Sequence, residues 1–352
     1  MIIKELFAIT AQKKASDLHL VVGSLPFLRV NGELEEIKEQ KVLTKKDMEQ
    51  MVYGLLTEEQ KNRFLKHKEL DISVDDNDNG TRFRVNLHFE KSNIGMVARL
   101  INNKMPTMEE INMPKIVYDL LKLKQGFILI TGPTGCGKST SLAAMVDFVN
   151  KNQKCNIITL EDPIEYIFKP KQSIIIQRQL GTDMISFAEG LKHALRQDPN
   201  VIMVGEMRDL ETIATAITLA ETGHLVLATL HTYSAAQTID RIIDIFPPHQ
   251  QTQIRMQLSM TLAAVISQRL VLKIKGGRIA VREILLNTPA TSNLIRENKI
   301  AQIKTVMETS AKEGMISLDR NFEKLYKAKI ITKKVAQAQM ENPEILDKFR
   351  IL

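Results

Sequence analysis

One run of residues carries the clearest chemistry. Gly132-Pro133-Thr134-Gly135-Cys136-Gly137-Lys138-Ser139, closed by Thr140, fits G-x-x-x-x-G-K-[ST], the spacing of a phosphate-binding turn. Glycines let the backbone wrap so that its N–H groups face phosphate oxygens. A helix starting at the end of the run adds the positive end of its dipole. Lys138 is then placed to reach the β- and γ-phosphates of a nucleotide, and the Ser139 hydroxyl to ligate Mg²⁺. Cys136 reads as a small loop residue. An apolar run precedes the motif at 127–131 and a helical stretch follows it over 139–150, which is the context the motif demands.

Such a turn needs an acid at the end of a neighbouring strand. Val201-Ile202-Met203-Val204-Gly205-Glu206 supplies strand and acid together. A carboxylate there can stand beside Mg²⁺, or orient and deprotonate an attacking water. A second cluster, Thr159-Leu160-Glu161-Asp162-Pro163-Ile164-Glu165, follows another apolar run. Its carboxylates suit a divalent metal with its water shell and equally suit a solvated acidic turn. His224 and His231 flank the apolar run at 225–230. His231, at the C-terminal end where ligands gather in open α/β sheets, can donate to a γ-phosphate; a structural role fits either histidine as well.

These groups meet only if the apolar runs are adjacent strands. Residues 127–131, 156–160, 201–205 and 225–230 are continuous apolar segments separated by helical ones, the pattern of a mostly parallel sheet covered on both faces. The expected fold class is therefore α/β, with two domains. Residues 1–102 read as a mixed α/β domain. Its signals are an opening helix ending near Lys14, a β-type run at 18–22 and a strand at 27–30 leading into Asn31-Gly32, a type I′ hairpin signal. Thr44 and Asp47 form an N-cap pattern, and a turn at 75–80 precedes the alternating strand 81–87. Residues 103–115 hold two prolines and no period, and read as a linker to a second domain, 116–352, that becomes polar and helical from about 289.

Composition bounds the rest. Of 352 residues, 48 are basic and 41 acidic, for a net charge of +7. Two cysteines, Cys136 and Cys155, exclude a disulfide framework and a tetrathiolate zinc site. No apolar run approaches the length of a membrane span, and Glu5 interrupts the short apolar start, so neither a spanning helix nor a signal peptide is expected. A cytoplasmic, soluble protein follows as the expectation. The basic balance admits nucleic acid or an anionic membrane face. No block of five like charges occurs, Trp is absent and aromatics are 5%, so no nucleic-acid partner is expected.

Residues 132–140, TLEDPIEY (159–166), VGEMRDLET (204–212) and ETGHLVLATLHT (221–232) stand in the order and spacing of the secretion ATPase superfamily, which powers type II and type IV secretion and type IV pili. The resemblance runs from SDLHL (16–20) to about residue 349. It implies a RecA-like P-loop ATPase domain preceded by a small PAS-like α/β N-terminal domain. It also implies a homohexamer that uses ATP and Mg²⁺ and sits peripherally at the inner face of the cytoplasmic membrane. The partner would be an inner-membrane pilus platform protein, with room for a paralogous retraction ATPase. The family motifs map as Walker A at 132–140, an Asp box at 159–166, an atypical Walker B at 201–206 and a His box at about 222–241. Glu206 becomes the catalytic glutamate, Glu161 an organiser of Mg²⁺ and water with Glu165 second to it, and His231 the His-box residue, joined by Arg241. Arg84 (RFRVN) and Arg99 (MVARL) match the family's two arginine fingers, which neutralise charge on the transferring phosphoryl. Arg82 is a neighbouring candidate.

Within the superfamily the chain resembles the retraction branch that drives twitching motility. Assembly and type II secretion ATPases share the four motifs but typically carry a tetracysteine zinc segment and a longer N-terminal extension, for which this chain lacks the cysteines and the length. Two positions depart from the retraction pattern. Ala290-Thr291-Ser292-Asn293-Leu294-Ile295-Arg296-Glu297 replaces A-I/V-R-N-L-I-R-E, a segment tied to retraction and altered also in the accessory retraction branch, and Tyr233 stands where Asn is usual. The readings from other classes are a RecA-like nucleic-acid translocase and a non-hydrolysing nucleotide-dependent regulator. Intact Lys138, Ser139 and Glu206 speak against the second.

Overall fold

Alternating side chains on antiparallel strands build the first of two units. The computed structural model describes residues 3–30, 32–76, 81–101 and 105–348. The chain divides into Met1–Met105 with Pro163–Ile167, and Pro106–Asp162 with Phe168–Leu352. In the first unit the elements are α1 (Ile3–Gln12), β1 (Asp17–Leu20), β2 (Phe27–Val30), β3 (Glu33–Glu36), α2 (Lys45–Tyr53), α3 (Glu58–His67), β4 (Glu69–Asp76), β5 (Thr81–Glu90) and β6 (Asn93–Ile101). They form one sheet in the order β3-β2-β1-β6-β5-β4. Phe83, Val85 and Leu87 of β5 and Ile94, Met96 and Ala98 of β6 are buried with the apolar faces of the helices. Phe7 of α1 stacks on Phe83 with ring centroids 4.1 Å apart. Because successive strand residues face opposite ways, Arg84 and Arg99 fall on the sheet's other face.

Local signals explain the turns. Thr44 and Asp47 form the expected cap as a reciprocal capping box at α2. Val30 pairs with Glu33, leaving a two-residue hairpin loop in which Gly32 takes φ +96°; Asn31 lies outside the described residues. The turn expected from Asp75 starts later, because β4 continues to Asp76, which pairs with Thr81. Residues 77–80 of that turn, residue 102 and the first two residues of the expected linker, 103–104, lie outside the described residues.

The second unit contains α4 (Lys115–Leu120), β7 (Gly126–Thr131), α5 (Lys138–Asn152), β8 (Asn156–Glu161), β9 (Ile174–Gln179), α6 (Phe187–Ala194), β10 (Val201–Val204), α7 (Leu210–Glu221), β11 (Leu225–Leu230), α8 (Ala235–Asp244), α9 (Pro248–Thr261), β12 (Leu262–Leu272) and β13 (Arg278–Leu286). Four helices follow: α10 (Pro289–Arg296), α11 (Ile303–Thr309), α12 (Leu318–Lys327) and α13 (Lys333–Gln337). The sheet runs β13-β12-β7-β11-β10-β8-β9 and is parallel except for the β12–β13 pair at its edge. Every residue of β7, β10 and β11 is buried, as continuous apolar strands between helical layers must be. The four expected strands are present to within one residue at each end. Three others, β9, β12 and β13, carry no such signal. Leu262 opens β12 directly after α9 ends at Thr261, so no turn residue separates helix from strand. A smaller apolar cluster, including Val271, Val281, Phe322 and Ile331, joins the last helices to that edge. Among the described residues no helix is long and apolar enough to cross a membrane.

Candidate active site

β7, β11 and β10 are neighbours whose C-terminal ends lie within two residues of one another, since Thr131 pairs with Leu230 and Val204 with Ala228. The segments leaving them therefore meet. After β7 the chain turns through Gly132, Gly135 and Gly137, with φ of +143°, +77° and +89°. At Gly132 a Cβ would lie 2.3 Å from the Gln268 carbonyl oxygen and 2.7 Å from Cys136 Sγ, so no side chain fits. Gly137 is the N-cap of α5 and no side chain caps that helix, so the positive end of its dipole faces the turn. Cys136 is buried, and burial pushes its thiol up, in keeping with a packing residue.

Lys138 is only 9% exposed. Its Nζ donates to the carbonyls of Gly132 (2.9 Å) and Pro133 (3.2 Å) and lies 3.5 Å from Nδ1 of His231. His231 begins the segment after β11, and its Nε2 lies 3.6 Å from Oε2 of Glu206. Burial holds the imidazole below its ordinary value, and the charges of Lys138 and Arg208 push the same way. The ring is thus neutral at neutral pH. An ammonium can only donate, so Nδ1 is the acceptor and the ring proton sits on Nε2, facing Glu206.

Glu206 follows β10. Its turn is tied down on both sides: Gly205 N–H donates to Leu160 O (2.8 Å), and Thr229 Oγ1 donates to Gly205 O (2.5 Å). A Cβ on Gly205 would stand 3.1 Å from the Leu160 carbonyl, so the close passage beside β8 favours glycine. The carboxylate is ion-paired with Arg208, whose Nη2 donates to Oε2 at 3.0 Å and whose Nε faces Oε1. Sequence reasoning missed Arg208, although a cation two residues from a catalytic acid in one turn is a readable signal. His231, Arg208 and Arg241 line one cleft of about 550 Å³ with Gln237 and Asp240.

The remaining candidates lie elsewhere. Glu161, 6% exposed at the end of β8, accepts hydrogen bonds from Thr159 Oγ1 (2.7 Å) and Gln177 Nε2 (3.0 Å). Asp162 is exposed and Glu165 half-buried. Among the described residues no group of three or more His, Cys, Asp or Glu gathers to hold a metal. Mg²⁺ keeps several waters and takes nucleotide oxygens, so one or two protein groups suffice to hold it. His224 sits at the opposite end of β11, where Nδ1 is 3.0 Å from the Leu219 carbonyl at the close of α7, a structural placement. In the first unit Arg84 and Arg99 are cross-strand partners, and the same row continues through Asp17 to Arg29. Arg99 Nε donates to Asp17 Oδ1 at 2.8 Å and its side chain remains 68% exposed. Like charges directly opposite one another destabilise a sheet, and an anion would relieve them. Arg82 is buried and paired with Asp75 at 3.2 Å.

Residues 2–336 match the family of type II/IV secretion system proteins. The chain belongs to that family. It is 43% identical over 344 residues to the type IV pilus retraction ATPase PilT of Pseudomonas aeruginosa, across 98% of this chain and 99% of that one. It is 42% identical over 320 residues to a twitching motility protein of Neisseria gonorrhoeae, across 91% and 85%. The crystal structure of the pilus retraction motor PilT with bound ADP superposes with a TM-score of 0.93 at 41% identity, covering 99% of this chain and 100% of that one. Against that family background the altered segment 290–297 falls on α10. Thr291 and Ile295 are buried, and Ser292 Oγ donates to the Ser259 carbonyl of α9 at 2.8 Å. The polar replacements are thus absorbed into helix packing.

Proposed function

We infer that this chain is an ATP-hydrolysing motor that drives type IV pilus retraction. One observation carries the reading: Lys138, His231 and Glu206 converge where β7, β11 and β10 end, in a chain similar to PilT along nearly its whole length. ATP sits with its phosphates on the N–H groups of residues 134–137 and the first turn of α5. Pro133, which has no N–H to offer, fixes the backbone at the start of that cradle, Thr134 and Cys136 supply backbone to it, and Thr140 extends it into the helix. Lys138 neutralises the β/γ oxygens. Water attacks the γ-phosphoryl in line, and Glu206 takes its proton as ADP and phosphate form. Before it can act as a base Glu206 has to loosen from Arg208, because an ion-paired carboxylate holds protons poorly. His231 offers Nε2–H to the γ-phosphate or to Glu206.

Ser139 Oγ and Glu206 are the groups that would hold Mg²⁺, with Glu161 ordering water from the next strand and Glu165 secondary to it. The ion, when bound, supplies charge neutralisation at the transferring oxygens. Arg84 and Arg99 serve as arginine fingers in the assembled homohexamer; their cross-strand pairing, relieved only on the Arg99 side by Asp17, supports that role. The domain reading is a PAS-like 1–102, a linker at 103–115 and a RecA-like 116–352. The ring works in the cytoplasm at the inner face of the membrane, against a pilus platform protein.

The replacement of apolar and arginine side chains by Thr291 and Ser292 in α10 favours one second reading, an accessory retraction motor acting beside a paralogue. Deleting the gene separates the possibilities. Piliated cells that no longer retract are expected. Bald cells would identify an assembly motor, and retraction lost only under load would identify the accessory role.

A further inference from the structure

Arg282 is the largest of the fully buried side chains, at 2% exposed. Its hydrogen bonds all go to neutral oxygens. Nη1 donates to the carbonyls of Ile111 (3.0 Å) and Asn112 (3.1 Å), Nη2 to Ser141 Oγ (3.4 Å) and Nε to Gln268 Oε1 (3.4 Å). Burial lowers its pKa to about 10, which still leaves a cation at neutral pH. A buried charge of this size is often replaceable by an apolar side chain without loss of stability, so filling space does not by itself call for arginine. A planar guanidinium does what an apolar group cannot: it fixes several acceptors in one rigid fork.

The two sides of that fork lead to different places. On one side Gln268 Oε1 receives both Arg282 and Ser141 Oγ (2.9 Å), which settles the orientation of its amide. Gln268 Nε2 is thereby aimed at the Cys136 carbonyl, 2.9 Å away in the phosphate-binding loop. The Gln268 backbone carbonyl is also the wall against which Gly132 packs. On the other side Ile111 and Asn112 end a short turn that opens with reciprocal bonds between Thr107 and Glu110 and closes with Asn112 at φ +51°. In the chain this turn comes directly after Met105, the last residue of the first unit's N-terminal stretch.

We propose that Arg282 is a positioning residue that holds the phosphate-binding loop, through Gln268, in register with the turn at 107–113, so that nucleotide binding and the conformation of that turn are coupled. The proposal rests on the nucleotide-site reading above. Coupling of this kind is reciprocal: a nucleotide that orders the loop must also order the turn.

The test uses the full chain and its variants Arg282→Met, Arg282→Lys and Gln268→Ala. Two quantities are read: kcat and KM for ATP, and hydrogen–deuterium exchange over 107–113 with and without ADP. In the unaltered protein ADP should slow exchange in the turn. Arg282→Met should raise KM by about tenfold with a smaller change in kcat, and remove the ADP effect on the turn. Arg282→Lys should recover part of both. The Arg282→Met/Gln268→Ala double variant should be no worse than the weaker single one, since both cut the same connection. If Arg282→Met unfolds, the lysine and Gln268 variants decide by the same two readouts. A normal KM and a normal ADP response, with only a lower melting temperature, would reduce Arg282 to a packing residue. So would a turn that ignores ADP in the unaltered protein. Failure of ATP hydrolysis in the unaltered protein would instead overturn the motor reading, and ADP-dependent exchange would still judge the coupling.

Discussion

One imidazole lies between Lys138 and Glu206, and each of the three has a separable consequence. Lys138→Ala should abolish nucleotide binding, seen as loss of fluorescent-nucleotide titration. Glu206→Gln should keep binding but drop phosphate release by at least about a hundredfold. Normal turnover in that variant would remove Glu206 from the chemistry. His231 sets an acid limb. Its pKa lies below the ordinary value, mainly through burial, so the ring charges only at a pH below that ordinary value. As the pH falls from the unfolded chain's pKa toward the folded one's, the unfolded chain binds the proton more readily, so stability should decline across that window and activity should decline as the ring charges. His231→Gln should flatten the acid side of the pH–rate profile. These residues were legible because their types and spacing have few other uses. Arg208 and Gln268 were not, since a surface cation and a strand amide look ordinary until their partners are known.

At the scale of elements, the glycines and caps carry the testable claims. Gly132→Ala puts a methyl into the Gln268 carbonyl at a φ of +143°, and should cost about 2 kcal/mol or more together with ATP binding. Gly205→Ala meets the Leu160 carbonyl at a tighter-than-usual 3.1 Å and should lower kcat more than the denaturation midpoint, because it shifts the turn that aims Glu206. Thr44→Ala removes half a capping box in the first unit and should cost about 1 kcal/mol while leaving ATP turnover per folded molecule unchanged. The central strands were readable because full burial forces continuous apolar runs. β12 and β13 escaped notice because they mix polar residues such as Gln268 and Arg282 with apolar ones, and because β12 follows a helix without punctuation.

For the whole molecule, the Arg29–Asp17–Arg99–Arg84 row sets three arginines against one aspartate across the first unit's sheet. Sedimentation in added salt should therefore show nucleotide-promoted assembly weakening with ionic strength, and Arg84→Ala/Arg99→Ala should blunt that dependence. Two units were foreseeable from length and a proline-bearing break in pattern. The return of Pro163–Ile167 to the first unit was not, because nothing in a five-residue stretch announces which body it joins. The sheet order has a consequence in time. β7 lies between β11 and β12, which follow it by roughly 100 and 135 residues, and a ribosome adding about 5–20 residues per second needs several to tens of seconds to deliver them. Until β11 emerges the strand that carries the phosphate loop has neither neighbour, and until β12 emerges it has only one, so the newborn chain exposes an apolar strand while translation continues, and its yield should depend on how quickly a chaperone covers it.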